Sequence, residues 1–231
     1  MVIGFIGLGN VGQKLACTLV RNKIQTYVHD LIYENASHLI KGGAKWAKTP
    51  AEVASKCDII ITCLPSPKVS AEVIEGKAGV LSGIRSGKTW VEMSTSEASE
   101  VKRLGKVFKK LDVTSADCPV SGGCHKAETG NISIFAGCDR SVFDKIKPIL
   151  FLLGNQVIHT GALGSASVLK VTTNYLATTH LLACCEALTT LKAAKIDLGI
   201  AYEAIRISSG NSFVHETESQ VILNGSYNIN F

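Results

Sequence analysis

The sequence predicts an α/β protein, in which a doubly wound parallel sheet is followed by a second, all-helical region. Three observations support this fold class. Short apolar runs rich in β-branched residues alternate with helix-like segments up to about residue 160. A glycine-rich turn follows the first run directly. Residues 165–197 then contain neither glycine nor proline, which predicts a connecting helix of roughly 30 residues, about 45 Å long at 1.5 Å per residue.

The predicted elements alternate regularly along the chain. The run at 58–64 is nearly all apolar, which is typical of a strand buried on both faces of a parallel sheet. We expect a first domain at residues 1–161 and the start of an all-α domain at residues 162–231, whose last five residues show no helix-capping pattern. Strands are predicted at 2–6, 25–30, 58–64, 88–93, 113–117, 132–136 and 156–160, and helices at 10–21, 33–41, 96–111, 140–153, 165–197, 199–207 and 213–223.

Composition excludes several classes of protein. With 46% apolar and 19% charged residues, the 231-residue chain can bury a core and is not intrinsically disordered. The net charge of +5 is scattered, so its densest cluster, at 103–110, indicates a solvated helix face rather than a nucleic-acid patch. No apolar stretch is long enough for a membrane span. The eight cysteines form no C-x-x-C pair, so we expect reduced thiols and no metal site.

The clearest motif is a G-x-G-x-x-G turn between the first strand and the first helix. Gly7 permits the tight turn, Gly9 lets the backbone approach a pyrophosphate, and Gly12 lets the helix pack close to the strand. The context predicts a Rossmann-type dinucleotide site, and a turn without a ligand is the alternative. The predicted cofactor-binding residues of the motif are Gly7, Leu8, Gly9, Asn10, Val11 and Gly12.

Asp30 ends the second predicted strand, 18 residues after Gly12. Its carboxylate is placed to accept hydrogen bonds from the adenosine ribose. A 2′-phosphate would be repelled there, and the next residues, 31–33, include no Arg or Lys. The sequence therefore predicts NAD rather than NADP as the cofactor.

Two further patterns are compatible with substrate binding and catalysis. Ser121 is followed by Gly122 and Gly123, which leave backbone N–H groups open to a substrate carboxylate, although an ordinary turn has the same pattern. Lys170 and Asn174 are four residues apart and share one face of the long helix. A lysine beside an amide can move an alcohol proton while the amide holds the oxygen, and a solvated surface pair is the alternative.

Together these motifs resemble the β-hydroxyacid dehydrogenase family, to which 3-hydroxyisobutyrate dehydrogenase belongs, over the whole chain. The resemblance implies an oxidoreductase that transfers a hydride between NAD and a small 3-hydroxy acid. The markers occur in the family's order: Gly4–Gly9, Leu64-Pro65-Ser66, Met93-Ser94-Thr95, Pro119–Gly123, Gly161 with Lys170 and Asn174, and Ser208–Gly210.

The resemblance also assigns roles. Lys170 is the general acid/base and Asn174 positions the substrate oxygen. The glycine turn and Asp30 hold the adenosine half of the cofactor. The nicotinamide side is formed by Leu64, Pro65 and Thr95, and the substrate carboxylate is held by Ser121, Gly122 and Gly123.

The chain also departs from the family pattern. Ala166 replaces a usual glycine. Lys126 replaces a glycine after the Ser-Gly-Gly loop, and the bulk and charge that it adds near the substrate loop would suit a more acidic substrate. Family members usually continue past Phe231, so we expect a fragment or a degenerate copy. A catalytically silent NAD-binding or scaffold protein, and a NADPH-dependent semialdehyde reductase, remain alternatives. The chain begins directly with the first strand, so we expect a cytoplasmic protein. Apolar leucines on the long helix predict a homo-oligomer. We expect no nucleic-acid or membrane partner.

Overall fold

A computed structural model describes residues 1–226, which form two units, Met1–Lys170 and a second unit from Val171 onward. The predicted domain boundary at 161–162 stays a prediction. The strands are β1 (Ile3–Ile6), β2 (Thr26–His29), β3 (Lys45–Trp46), β4 (Ile59–Thr62), β5 (Thr89–Glu92), β6 (Thr114–Asp117), β7 (Val120–Ser121), β8 (Ser133–Gly137) and β9 (Gln156–Gly161). The helices are α1 (Gly12–Arg21), α2 (Ser37–Lys41), α3 (Pro50–Lys56), α4 (Pro67–Glu75), α5 (Ala98–Lys109), α6 (Gly123–Thr129), α7 (Arg140–Leu153), α8 (Ser165–Ala193), α9 (Leu198–Arg206) and α10 (Gln220–Leu223).

The nine strands of the first unit form one sheet. Its order is β3-β2-β1-β4-β5-β6-β8-β7, with β9 paired to β8, and the first six strands are parallel. The order reverses between β1 and β4. The predicted α/β fold is thus confirmed, but β8 runs antiparallel to both β6 and β7. The connection 122–132 between β7 and β8 is shorter than the dozen or more residues that a parallel crossover needs, so β8 returns antiparallel to β7.

Helices cover both faces of this sheet. Every residue of β4 is buried, as predicted for a strand in the middle of a doubly wound sheet. Ile61 belongs to a core cluster that includes Leu15 of α1 and Leu150 of α7. Ile60 faces the other way and belongs to a second cluster with Phe108 of α5. The alternation of side chains along one strand therefore supplies two separate cores.

Two predicted helices differ from the structure in type or length. Residues 33–41 begin as a 3₁₀ turn, Tyr33–Ala36, before α2. The long helix ends at Ala193 rather than at Asp197, because Lys195 adopts a left-handed conformation (φ 60°) that reverses the chain. Asp197 instead caps α9 by accepting hydrogen bonds from the N–H groups of residues 199 and 200.

The sequence analysis predicted no elements at β3, α3, α4, β7 or α6. Two of these helices begin at capping patterns that could have revealed them. The hydroxyl of Thr49 accepts a hydrogen bond from the N–H of Glu52, and Pro50 opens α3. In α4 the hydroxyl of Ser66 caps in the same way before Pro67. Both helices are short, so their hydrophobic periodicity is weak.

The second unit contains α9 and α10 and most of α8. Its predicted helix at 213–223 includes a π-helical segment, His215–Ser219. The buried His215 ring stacks on Tyr202 at 4.7 Å, and its two nitrogens lie 3.0 Å from the Tyr202 carbonyl and the Ser219 hydroxyl. These contacts join α9 to the π-helical segment. The predicted absence of a cap at the chain end lies outside the described residues.

Candidate functional site

Most predicted site residues of the first unit lie in loops at one edge of the sheet. The glycine turn follows β1, Asp30 follows β2, Leu64 follows β4, Thr95 follows β5, and the segment 118–123 follows β6. The carboxyl ends of parallel strands share this edge, and open α/β sheets bind ligands there, beside the point where the strand order reverses. That point lies between β1 and β4, where the glycine turn and Leu64 are neighbours.

The three glycines of the turn face different surroundings. A Cβ on Gly7, whose φ is +94°, would lie 2.3 Å from the carbonyl oxygen of Cys63. A Cβ on Gly12 would lie 2.1 Å from the carbonyl oxygen of Gly7. A Cβ on Gly9 would meet nothing within 4 Å. The first and third glycines are therefore required by backbone packing, whereas the second leaves open space that fits the phosphates of a dinucleotide.

Asp30 holds the glycine turn in place. Its Oδ2 accepts a hydrogen bond from the N–H of Leu8 at 2.6 Å, and its Oδ1 accepts from the N–H of Ile32 at 2.9 Å and from Asn35 at 3.3 Å. An ionised carboxylate has about four acceptor positions, so these three donors leave room for a ribose hydroxyl. This structural role of Asp30 was not apparent from the sequence.

A buried glutamate connects the loops after β4 and β5. Glu92 accepts hydrogen bonds from the N–H (2.9 Å) and the hydroxyl of Ser94. The Ser94 hydroxyl oxygen in turn accepts from the N–H of Leu64 at 2.8 Å. Burial raises the pKa of Glu92, and the Ser94 donors oppose that shift. This chain of hydrogen bonds fixes Leu64 and the segment before Thr95 relative to each other.

Asp117, at the end of β6, anchors the start of α8. It is fully buried. Its Oδ1 accepts from the N–H of Gly164 at 2.7 Å, and its Oδ2 accepts from the N–H (2.7 Å) and the hydroxyl (2.9 Å) of Ser167. A Cβ on Gly137 would lie 2.3 Å from Oδ1, so this position requires glycine. Burial raises the pKa of Asp117, and these donors oppose the shift.

Sequence reasoning assigned no role to Glu92 or Asp117. Each is an acidic residue at the end of a strand, and the two are register partners in the sheet. An acidic residue at the end of a predicted strand was the sign of this role that the sequence offered. The groups that donate to the two carboxylates could not be identified from the sequence, because Ser167, for example, lies 50 residues away from Asp117.

Lys170 follows Ser167 by one helical turn. Its residue is only 9% exposed, and burial lowers the pKa of its ammonium group. A lowered pKa favours exchange of a proton at moderate pH. Asn174 lies four residues further along α8, in the second unit.

The predicted carboxylate loop has an unusual backbone. Gly122 and Gly123 have φ values of 124° and 82°, in the region that side-chain-bearing residues rarely adopt. They lie between Ser121 at the end of β7 and the body of α6. The loop therefore depends on both glycines for its conformation.

No metal centre is found in residues 1–226, where no group of three or more His, Cys, Asp or Glu side chains could hold an ion. All eight cysteines are free thiols. No helix in this part of the chain is long and apolar enough to cross a membrane. The strand order, the glycine turn and Asp30 together define a dinucleotide-binding protein of the Rossmann class.

Comparison with known families specifies this class further. Residues 2–161 match the NAD-binding domain of 6-phosphogluconate dehydrogenase. Residues 164–231 match the NAD-binding domain of NADP-dependent 3-hydroxyisobutyrate dehydrogenase. The chain belongs to the β-hydroxyacid dehydrogenase family and contains its NAD(P)-binding domains.

Individual relatives cover nearly the whole chain. A 2-(hydroxymethyl)glutarate dehydrogenase from Eubacterium barkeri is 32% identical over 97% of this chain and 75% of its own length. The mitochondrial 3-hydroxyisobutyrate dehydrogenase of Rattus norvegicus is 31% identical over 95% of this chain, which spans 65% of that relative. The crystal structure of 3-hydroxyisobutyrate dehydrogenase from Salmonella typhimurium superposes with a TM-score of 0.88 at 26% identity, covering 98% of this chain and 80% of that one.

The Asp117 contacts lead to a prediction about stability. Asp117→Asn replaces one of the two acceptor oxygens by an N–H₂ group, so at least one of the three donors loses its acceptor. A buried donor without an acceptor costs about 1–3 kcal/mol. We expect the free energy of unfolding, measured by urea denaturation, to fall by that amount. Ser167→Ala, which removes only the hydroxyl donor, should cost about 1 kcal/mol. An Asp117→Asn variant as stable as the unaltered protein would contradict the anchoring role.

Proposed function

We propose that the protein transfers a hydride between NAD and a small 3-hydroxy acid of the 3-hydroxyisobutyrate type, with Lys170 as the general acid/base. The observation that supports this most directly is the environment of Lys170. It is a buried lysine with a lowered pKa, one turn beyond an anchored helix start at the ligand-binding edge of the sheet. A bound NAD supplies the hydride acceptor for the carbon that bears the hydroxyl group.

The side chains around the substrate have separate tasks in this proposal. Neutral Lys170 accepts the proton of the substrate hydroxyl during oxidation, and its ammonium form returns a proton during reduction. The amide of Asn174 positions the substrate oxygen. Ser121 and the N–H groups of Gly122 and Gly123 hold the carboxylate, which aligns the reacting carbon.

The cofactor is assigned to the loops after β1, β2, β4 and β5. The turn Gly7–Gly12 faces the phosphates, Asp30 the adenosine ribose, and Leu64, Pro65 and Thr95 the nicotinamide side. The open space at Gly9 supports this assignment. NAD is favoured over NADP because Asp30 would repel a 2′-phosphate and the exposed Leu31 beside it offers no positive charge.

Two alternative functions are distinguishable from this one. A silent dinucleotide-binding or scaffold protein would bind NADH without oxidising a hydroxy acid, and the presence of Lys170, Asn174 and the Ser-Gly-Gly loop argues against it. A semialdehyde reductase of the same family would prefer NADPH. A cytoplasmic location and a homo-oligomeric state also belong to the proposal. The rat relative, by contrast, is named a mitochondrial enzyme.

Removal of the lysine tests the catalytic assignment. Lys170→Ala should lower kcat for 3-hydroxyisobutyrate about 10²–10⁴-fold, the usual contribution of a general acid or base. NADH binding, followed by the fluorescence of the bound cofactor, should stay within about twofold because the cofactor loops are unaltered. Lys147→Ala, on α7, is the matched control and should keep full turnover. Undiminished turnover in Lys170→Ala would remove this residue from the mechanism.

The lowered pKa of Lys170 also predicts a pH dependence. Only the neutral amine accepts a proton, so kcat for oxidation should rise with pH and level off above the lysine pKa. Because burial lowers that pKa, the inflection should lie below the pKa of an ordinary lysine. In the reverse reaction kcat should fall over the same interval. An inflection that persists in residual turnover of Lys170→Ala would belong to another group.

Cofactor preference can be measured without turnover. We expect the Kd for NADH to be at least about tenfold lower than that for NADPH, the effect of roughly 1.4 kcal/mol of repulsion. Asp30→Asn should narrow this ratio by weakening NADH binding and strengthening NADPH binding. Asp139→Asn, at an exposed helix start away from the turn, should leave the ratio unchanged. Equal or tighter NADPH binding by the unaltered protein would favour the semialdehyde reductase alternative.

A further inference from the structure

Glu92 lies where the proposed nicotinamide side of the site begins. It is the last residue of β5 and is only 1% exposed. Its Oε1 accepts hydrogen bonds from the N–H of Ser94, at 2.9 Å, and from the hydroxyl of the same residue. The hydroxyl oxygen of Ser94 accepts from the N–H of Leu64 at 2.8 Å. One buried carboxyl group therefore connects the loop after β5 to the loop after β4.

Two more hydroxyl groups lie beside this carboxyl group. Thr62 is the register partner of Glu92 in β4, and Ser70 is a buried residue of α4. The hydroxyl oxygen of Thr62 accepts from the indole N–H of Trp90 at 2.9 Å, which leaves its hydrogen for the carboxyl group. Burial raises the pKa of Glu92, and the hydroxyls of Ser94, Ser70 and Thr62 oppose that shift. The carboxyl group thus links the end of β4, the loop after it, α4 and the loop after β5.

From this arrangement we infer that Glu92 is a positioning residue, which holds the loops after β4 and β5 in the conformation that binds the nicotinamide half of the cofactor. The inference rests on the proposed function, in which Leu64, Pro65 and Thr95 form the nicotinamide side. Glu92 acts through Ser94, because its own carboxyl group is buried. Loops without this connection would have to be ordered when the ligand binds, and that ordering reduces affinity.

The adenosine half of the site is held by a different carboxylate. Asp30 accepts hydrogen bonds from the N–H groups of Leu8 and Ile32 and from the side chain of Asn35. These contacts belong to the loops after β1 and β2, and the Glu92 contacts belong to the loops after β4 and β5. Loss of the Glu92 contacts should therefore weaken binding of the nicotinamide half and spare that of the adenosine half.

Two ligands separate the halves of the cofactor: NADH, and ADP-ribose, which lacks the nicotinamide ring. Their dissociation constants are measured by isothermal titration calorimetry. Ser94→Ala removes the hydroxyl that joins Glu92 to Leu64, and Glu92→Leu removes the acceptor itself. Glu92→Gln keeps a side-chain oxygen for the N–H and the hydroxyl of Ser94. The control is Thr89→Val, which removes a hydroxyl at the other end of β5, 2.9 Å from the hydroxyl of Thr114.

We expect the unaltered protein to bind NADH at least about tenfold more tightly than ADP-ribose. Ser94→Ala and Glu92→Leu should weaken NADH binding about tenfold, the effect of one lost buried hydrogen bond, and change ADP-ribose binding less than about twofold. Glu92→Gln should bind NADH within about threefold of the unaltered protein, because the accepting oxygen is kept. Thr89→Val should leave both dissociation constants unchanged.

Three results would overturn the inference. Ser94→Ala could weaken NADH and ADP-ribose equally, it could weaken neither, or the unaltered protein could bind ADP-ribose as tightly as NADH. Thermal unfolding shows whether each variant is folded at the temperature of the titration. If Glu92→Leu does not fold, the comparison of Ser94→Ala with Glu92→Gln decides the question.

Steady-state kinetics separate this inference from the proposed function. With 3-hydroxyisobutyrate as substrate, Ser94→Ala should raise KM for NAD and lower kcat, because loosened loops no longer align the nicotinamide for hydride transfer. KM for the hydroxy acid should change less than about twofold. If the NADH to ADP-ribose ratio responds as expected but no hydroxy acid is oxidised by the unaltered protein, the inference stands and the proposed function fails. If the acid is oxidised but the ratio does not respond to Ser94→Ala, the proposed function stands and the inference fails.

Discussion

Carboxylates at the carboxyl edge of the sheet accept hydrogen bonds from backbone N–H groups of the loops and of the first turn of α8. These N–H groups have no partner in a strand. Asp30 binds the glycine turn, Glu92 binds Ser94, and Asp117 binds the first turn of α8. A buried N–H group without an acceptor costs about 1–3 kcal/mol, so each of these contacts restricts a loop to one conformation. The candidate site depends on these acids, although Glu92 and Asp117 act through other residues.

Acidic and basic side chains at this edge of the sheet have different roles. The acids accept hydrogen bonds from N–H and O–H groups of the chain and thereby organise it. Lys170, near the start of α8, occupies the position where the proposed substrate reacts. Burial affects both kinds of group, because it raises the pKa of Glu92 and Asp117 and lowers that of Lys170. Proton transfer is thus the task of a basic residue, Lys170, in the proposed function.

Several parts of this fold were predictable because they depend on neighbouring residues. The buried strand at 58–64 and the helix at 140–153 have strong periodic patterns, and α7 has the predicted bounds. The glycine turn follows a strand and opens a helix, which is what its pattern predicts. By contrast, α3 and α4 are short and were missed despite their capping residues. The antiparallel pairing of β8 was missed because strand direction depends on how residues 122–132 turn back.

The sequence by itself determined the fold class, the glycine turn and the family, since alternating elements and short motifs depend on residues close together in the chain. Only the tertiary structure decided which polar groups meet. Asp30 binds the N–H of Leu8 across 22 residues, and Asp117 binds Ser167 across 50. Such contacts exist only once the strands have paired and the helices have packed. The burial that lowers the pKa of Lys170 has the same origin, since it depends on the surrounding folded chain.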